Sequence, residues 1–241
     1  MSANHAAFNL IFRFVENYIS PIAGRISSQR HVMAIRDGFI SAMPFMIVGS
    51  FLLVFAYPPF SPDTTWGFAR AWLDLAKEFE GRILTPFDMT MGIMSIYICA
   101  AISYNLGKHY EKSNQLDPFM CAMLSIMAFL LIAAPKTNGT LPVDSLGGTG
   151  IFTAILVAIY CVEMMRFLKA HNIGIRLPDQ VPPMIKNSFD LLIPVLVVVL
   201  TLYPLSLFIQ PHFDMLIPQP IMAIIKPLVS AAASLPAILM A

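Results

Sequence analysis

Charge is scarce and balanced in this sequence: 12% of its 241 residues are Asp, Glu, Lys or Arg, and 15 cations face 14 anions for a formal charge of +1. A soluble domain has about twice that charged fraction. Without a cationic surplus nothing steers the chain to a polyanion, which argues against nucleic acid as a partner. Cysteine is scarce as well. Cys99, Cys121 and Cys161 are an odd number, each inside an apolar run and without metal-type spacing, so neither a disulfide framework nor a metal site organises the fold. The five histidines are scattered singly, and no GxxxxGK[ST] loop occurs, so nothing points to ATP hydrolysis or to a bound cofactor.

What is present is apolar surface: 57% of residues are hydrophobic and the mean hydropathy is +0.72, the composition of an integral membrane protein. A span presents about 20 mostly apolar residues to cross ~30 Å of hydrocarbon. Five runs meet this: Phe39 to Tyr57, Met89 to Leu106, Pro118 to Ala134, Ile151 to Leu168, and Leu191 to Ile209. A sixth apolar segment, Met215 to Ala241, is interrupted by Pro218, Pro220, Lys226, Pro227 and Pro236 and reads as unfinished. The expected fold is all-α: a polytopic membrane helical bundle of about five complete transmembrane helices plus interfacial amphipathic helices.

Cations set the orientation, because loops rich in Lys and Arg stay cytoplasmic. With the N-terminus inside, the cytoplasmic set is Arg13, Arg25, Arg30, Arg36, Lys108, Lys112, Arg166, Lys169, Arg176 and Lys186, against Arg70, Lys77, Arg82, Lys136 and Lys226 outside. The first 28 residues are not a signal peptide. Phe8, Ile11, Phe14, Val15, Tyr18, Ile19 and Ile22 recur at helical spacing opposite Asn9, Arg13, Glu16 and Asn17, as in a helix lying on the inner leaflet against membrane lipid. A second amphipathic segment interleaves Trp66, Phe68, Trp72, Leu75 and Phe79 with Arg70, Asp74, Lys77 and Glu78. Its tryptophans read as a headgroup-level aromatic belt, or else as a stacking surface for a sugar ring.

The spans carry almost no charge, which disfavours a proton relay or an ion-coupled carrier. Glu163 stands three residues before Arg166, so a headgroup-level ion pair competes with a functional carboxylate. Thr85-Pro86-Phe87-Asp88 has the T-x-x-D spacing of a helix cap. Capping alone accounts for Asp88; the alternative is that Asp88 or Thr90 also faces a polar cavity, where sugar hydroxyls need directional partners. Leu177-Pro178-Asp179-Gln180-Val181-Pro182-Pro183 is barred from being helical throughout by its prolines. It reads as a stiff cytoplasmic connector or as a gate or partner-docking loop built on Asp179 and Pro182, with a helix beginning near Met184. Gly92, Ser95, Cys99 and Ser103 form a small-residue packing stripe.

Three segments together resemble one family: residues 29–40 (QRHVMAIRDGFI), residues 90–95 (TMGIMS), and residues 177–183 (LPDQVPP) with Ser188-Phe189 and Ile193-Pro194. The family is the enzyme IIC membrane components of the phosphotransferase system, in the branch handling cellobiose, diacetylchitobiose and lactose. The resemblance implies a ten-helix permease whose first half joins two protomers into a homodimer and whose second half carries the disaccharide. It covers this whole chain but only the first half of a complete member. The sugar-binding histidine and glutamate of the family fall in the second half, so His31 is read as structural and Asp88 as the best candidate for a sugar contact. On this reading residues 1–38 form an interfacial helix and cytoplasmic lead-in, 39–210 a five-span dimerisation part, and 211–241 an outer linker opening a truncated second half.

The implied function is that of the N-terminal portion of a permease in the bacterial inner membrane. It is not itself an enzyme: partner IIA and IIB proteins carry the phosphoryl group, and the portion is not transport-competent alone. The alternative is a membrane scaffold whose spans serve only association. The threading is tested by a reporter: alkaline phosphatase fused just after Tyr57 is expected to be active outside the cell, and activity confined to a cytosolic reporter would overturn it.

Overall fold

The computed structural model describes residues 20–135, 142–175, 178, 180–182, 185, 189–213 and 215–240. Among these residues the regular structure is helical and no strand forms. Helix α1 spans Ser20–Ser27, α2 Arg30–Ala56, α3 Gly67–Phe87, α4 Met94–Asn114, α5 Pro118–Ala133, α6 Ile151–Ala170, α7 Leu192–Phe213 and α8 Pro218–Met240. A π-helical turn, Asp88–Gly92, joins α3 to α4, and a 3-10 turn, Gly148–Gly150, leads into α6. The amphipathic helix expected before Ser20 lies outside the described residues.

Four stretches are long and apolar enough to cross a membrane: Arg30–Ala56, Gly67–Asn114, Gly148–Ala170 and Leu192–Gln210. The run expected as a third full span is shorter. Helix α5 has 16 residues, about 24 Å of rise. Its start is fixed by Asp117, whose carboxylate accepts the N–H groups of Phe119 and Met120 at 2.9 and 3.3 Å while Pro118 occupies the first turn. Helix α6 ends as firmly: Asn172 takes a left-handed φ of 54°, and Ile173 N–H bonds back to Leu168 C=O at 2.9 Å. The prolines expected to interrupt 215–241 do not, for α8 runs through Pro227 and Pro236 after placing Pro218 and Pro220 in its first turn, where the missing N–H costs no intrahelical bond.

Helices α2 and α4 share the most extensive contact of any pair among the described residues. In lipid, helix association rests on packing and backbone approach, since the surroundings are as apolar as the side chains. Ala34, Gly38, Ala42, Gly49 and Ala56 are the buried residues of α2, and they are all small. A Cβ added to Gly38 would meet Ile102 Cγ1 and come within 2.9 Å of the Ile102 backbone nitrogen; one on Gly49 would come 2.8 Å from Thr90 Oγ1. The larger apolar residues of α2, such as Ile40, Ile47 and Phe51, are exposed. Of the stripe read from the sequence, Ser95, Cys99 and Ser103 are fully buried and form the packing face of α4, whereas Gly92 ends the π-helical turn and is only half-buried. The core continues through Leu124, Phe129, Ala158, Cys161 and Val162 between α5 and α6.

The pairing of Gly38 with Ile102 and of Gly49 with Thr90 and Met91 runs antiparallel. It does not extend along α3. Glu80 reaches Tyr57 but Trp72 reaches Phe55, so residues eight apart on α3 meet Phe55 near the end of α2 and Tyr57 just past it, and α3 crosses over the end of α2.

These contacts set a packing test. Gly38→Val is expected to destabilise the protein by about 1–3 kcal/mol, read as a lowered Tm by circular dichroism in detergent. Gly81→Ala, where an added Cβ meets nothing within 4 Å, should leave Tm unchanged or raise it; equal behaviour of the two variants would refute the close approach.

Candidate functional site

The residues singled out from the sequence fall in two places. Asp88 and Thr90 share the π-helical turn. Pro86 has no N–H to donate, and the ladder widens directly after it into the turn, which closes at Ile93 with φ −120°. This overturns the capping reading of Thr85 to Asp88: no helix begins there. Thr85 Oγ1 donates to the Gly81 carbonyl at 2.9 Å, inside a continuing helix, and Asp88 makes no side-chain cap. Asp88 is exposed at the head of the turn. Thr90 Oγ1 donates to the carbonyls of Pro86 and Phe87 at 2.8 and 3.0 Å and lies against Gly49 of α2. The turn thus brings the two residues together in sequence but not around one space: Thr90 locks onto α2 while Asp88 stays open.

Other groups brace this turn. Tyr97 donates its hydroxyl to the Met89 carbonyl at 2.7 Å and stacks on Phe45 with ring centroids 4.3 Å apart. The loop before α6 docks from the other side, where Ser95 N–H bonds to the Leu146 carbonyl at 2.9 Å and Ser95 Oγ donates to the Gly147 carbonyl. A Cβ on Gly147 would come 3.1 Å from the Gly92 carbonyl, a tight contact that glycine avoids. A π-turn held from two sides within a membrane helix is a common setting for a functional residue.

The second place is the basic end of the bundle, where α2 begins and α4 and α6 end. Glu163 is its hub. Its Oε1 accepts the Tyr110 hydroxyl at 2.7 Å and lies 3.0 Å from His31 Nε2, while Oε2 pairs with Arg166 Nε at 3.0 Å. Arg166 also donates to the Tyr110 oxygen at 3.0 Å, and the Arg30 and Arg166 guanidinium carbons lie 5.5 and 4.8 Å from the Tyr110 ring centre. The expected pair of Glu163 and Arg166 is present, but it belongs to a network of five residues from three helices. The sequence signal for the rest was Arg30 and His31, within a segment that resembles the family; nothing in spacing marked Tyr110.

Beside the hub, Lys169 donates to the Gln115 carbonyl at 2.7 Å and pairs with Asp190 at 3.3 Å. It thereby ties the α4–α5 turn and α6 to the lead-in of α7. Asn114, Lys169, Asn172, Asp190 and Pro194 line a polar cavity of about 520 Å³. The connector expected to be a stiff or docking loop is described only in part: Val181 N–H bonds to the Pro178 carbonyl at 3.2 Å and Ile185 N–H to the Pro182 carbonyl at 3.0 Å. Asp179 lies outside the described residues, as do Met184 and Lys186 to Ser188, where a helix start was expected. At the opposite end Tyr57 donates to Glu80 at 2.8 Å, and that hydrogen bond and the Glu80 charge raise the Tyr57 hydroxyl above its ordinary pKa. Among the described residues no cluster of three His, Cys, Asp or Glu side chains could hold a metal ion.

Several apolar helices of spanning length, paired through small residues and carrying few internal charges, define a multi-pass helical membrane protein. The chain belongs to the phosphotransferase system EIIC family, whose model matches residues 36–240. It is 35% identical over 206 residues to the cellobiose-specific EIIC component of Geobacillus stearothermophilus, covering 78% of this chain and 43% of that protein. To the lactose-specific EIICB component of Lactococcus lactis subsp. lactis it is 32% identical over 217 residues, covering 88% of this chain and 37% of the relative. The crystal structure of the transporter ChbC, the IIC component from the N,N'-diacetylchitobiose-specific phosphotransferase system, superposes with a TM-score of 0.75 at 30% identity. That superposition covers 92% of this chain and 52% of ChbC. The chain therefore spans about half the length, or less, of the relatives it matches.

The hub sets a second test. Glu163→Ala leaves His31 and Arg166 without their carboxylate and is expected to cost about 1–3 kcal/mol, measured by denaturant unfolding in micelles. Tyr110→Phe, which leaves the Glu163–Arg166 pair in place, should cost less. A double-mutant cycle of Glu163→Gln with His31→Gln should show non-additivity of at least about 0.5 kcal/mol; additive losses would dissolve the hub.

Proposed function

We propose that this chain forms the first-half platform of a sugar permease of the phosphotransferase system, one that imports a disaccharide of the cellobiose, diacetylchitobiose or lactose type coupled to its phosphorylation. The observation that carries the reading is the continuous agreement with the EIIC family over 36–240 together with the ChbC likeness over nearly the whole chain. The platform's work is to hold position: its helices associate through small residues, and its few polar groups bind one another or the backbone. Transport then needs the segments that correspond to the remainder of the full-length relatives, and the chain by itself does not move sugar.

Partners follow from the same reading. A phosphorylated IIB protein transfers its phosphoryl group from cysteine to the sugar's hydroxyl on the cytoplasmic side, and the fused name EIICB of the lactose relatives is consistent with such a partner; a IIA protein then rephosphorylates the IIB cysteine. Two platforms face each other as a homodimer in the bacterial inner membrane, with the N-terminus and the basic end cytoplasmic, as the cation distribution favours. Asp88, exposed on a braced π-turn, is the residue proposed to touch sugar, with Thr90 fixing the turn; Asp179 and Pro182 belong to the loop proposed to meet the cytosolic partner.

The test joins this chain to the second half of the Geobacillus stearothermophilus cellobiose component and measures uptake and phosphorylation of labelled cellobiose in cells holding IIA and IIB. The joined protein is expected to transport and the short chain not to. Asp88→Asn in the joined protein should raise the KM for sugar by about tenfold at normal membrane abundance. Uptake by the short chain, or full activity of the Asp88 variant, would refute the corresponding part of the reading.

A further inference from the structure

Four charges on α3, Arg70, Asp74, Lys77 and Glu80, follow one another at helical spacing on one face and alternate in sign. Together with Tyr57 and Pro62 they line a cleft of about 740 Å³ where α3 crosses the end of α2. Opposite charges at such spacing ordinarily pair with each other. Here they do not, for the ion pairs among the described residues all lie elsewhere. Arg70 uses Nε on the Thr64 carbonyl at 2.8 Å, which leaves its terminal nitrogens available, and Glu80 accepts the Tyr57 hydroxyl on one oxygen, which leaves the other. The cleft thus holds two cations and two anions with no net charge, and the complementary ligand brings one anionic and one ammonium group.

The surroundings fix the depth. Phe60, Trp66, Phe68 and Trp72 pack ring on ring with centroids 5.7 to 5.9 Å apart, and Trp72 donates its indole N–H to the Phe55 carbonyl at 3.2 Å. Trp66, Phe68 and Leu75 are each more than half exposed. Aromatic side chains in this position sit at the headgroup level of a bilayer, with apolar neighbours toward the acyl chains. We propose that this cleft binds a phospholipid headgroup of the phosphoethanolamine type. Arg70 and Lys77 take the phosphate, and Asp74 with the free oxygen of Glu80 takes the primary ammonium through charge-assisted hydrogen bonds. A purely anionic headgroup meets the two carboxylates unfavourably. A quaternary ammonium has no N–H to give them, and the rings that would cradle it are turned to each other.

The chain has two tryptophans, Trp66 and Trp72, one just before α3 and one in its first turns, so intrinsic fluorescence reports this helix alone. The full chain, delipidated in detergent, is titrated with phosphatidylethanolamine, phosphatidylcholine and phosphatidylglycerol of matched chains, following tryptophan emission and the lipid retained in native mass spectrometry. Phosphatidylethanolamine is expected to bind about tenfold tighter than either of the others, and Asp74→Asn or Lys77→Gln to weaken it about tenfold without changing the circular dichroism spectrum. Soluble phosphoethanolamine distinguishes the source. Competition against the lipid assigns recognition to the headgroup; its failure to compete at any concentration, with selectivity lost, overturns the site. Equal affinity for the three lipids, or indifference to both substitutions, overturns it too. A change in emission with cellobiose that Asp74→Asn abolishes would give the cleft to a saccharide instead.

Discussion

The distance between α2 and α4 is the constraint on which the other contacts depend. Side chains gain little by leaving lipid for a neighbouring helix, so the favourable term must come from close backbone approach and dense dispersion contact. Gly38 admits Ile102 to the backbone of α2, and Gly49 admits Thr90 and Met91. That approach fixes the register in which Phe45 stacks on Tyr97 and brings the start of α2 alongside Tyr110 and Glu163. A wider spacing would leave both ends of the bundle without their polar contacts.

The polar contacts in turn sit at the ends and at one break in the middle. At the basic end, Glu163 gathers His31, Tyr110 and Arg166, and Lys169 adds the carbonyl of Gln115 and the carboxylate of Asp190. Partly buried ionic groups tolerate low dielectric when every partner is satisfied, and such networks specify one arrangement of helices more than they add net stability. For the platform proposed above, one fixed arrangement is the useful property. The break is the π-turn after Pro86, where Tyr97, Thr90 and the Leu146–Gly147 loop supply partners and brace the backbone, and where Asp88 remains open.

At the other end the charged face of α3 behaves differently. The same helical spacing that pairs Glu163 with Arg166 leaves Arg70, Asp74, Lys77 and Glu80 without mutual ion pairs. The difference is what stands opposite. Glu163 faces two other helices that supply donors, whereas the α3 stripe faces a short proline-bearing turn with few donors, where Tyr57 is its one side-chain partner among the described residues.

Hydropathy and residue spacing alone settled the all-helical membrane class, most of the spans, the packing stripe of Ser95, Cys99 and Ser103, and the pairing of Glu163 with Arg166. These are properties of one segment at a time, and the 3.6-residue period and the cost of bare polar groups in lipid suffice to state them. The threonine cap at Thr85 was misread because T-x-x-D spacing is equally compatible with a continuing helix, and the choice there fell to what Pro86 and the docked loop do to the backbone. The shortness of α5 and the continuity of α8 through its prolines are local outcomes that the apolar runs did not express. The small face of α2 and the gathering of His31, Arg30 and Tyr110 around Glu163 were decided only by tertiary structure, for they depend on which residues from different helices come into contact, and a local pattern carries no information about that.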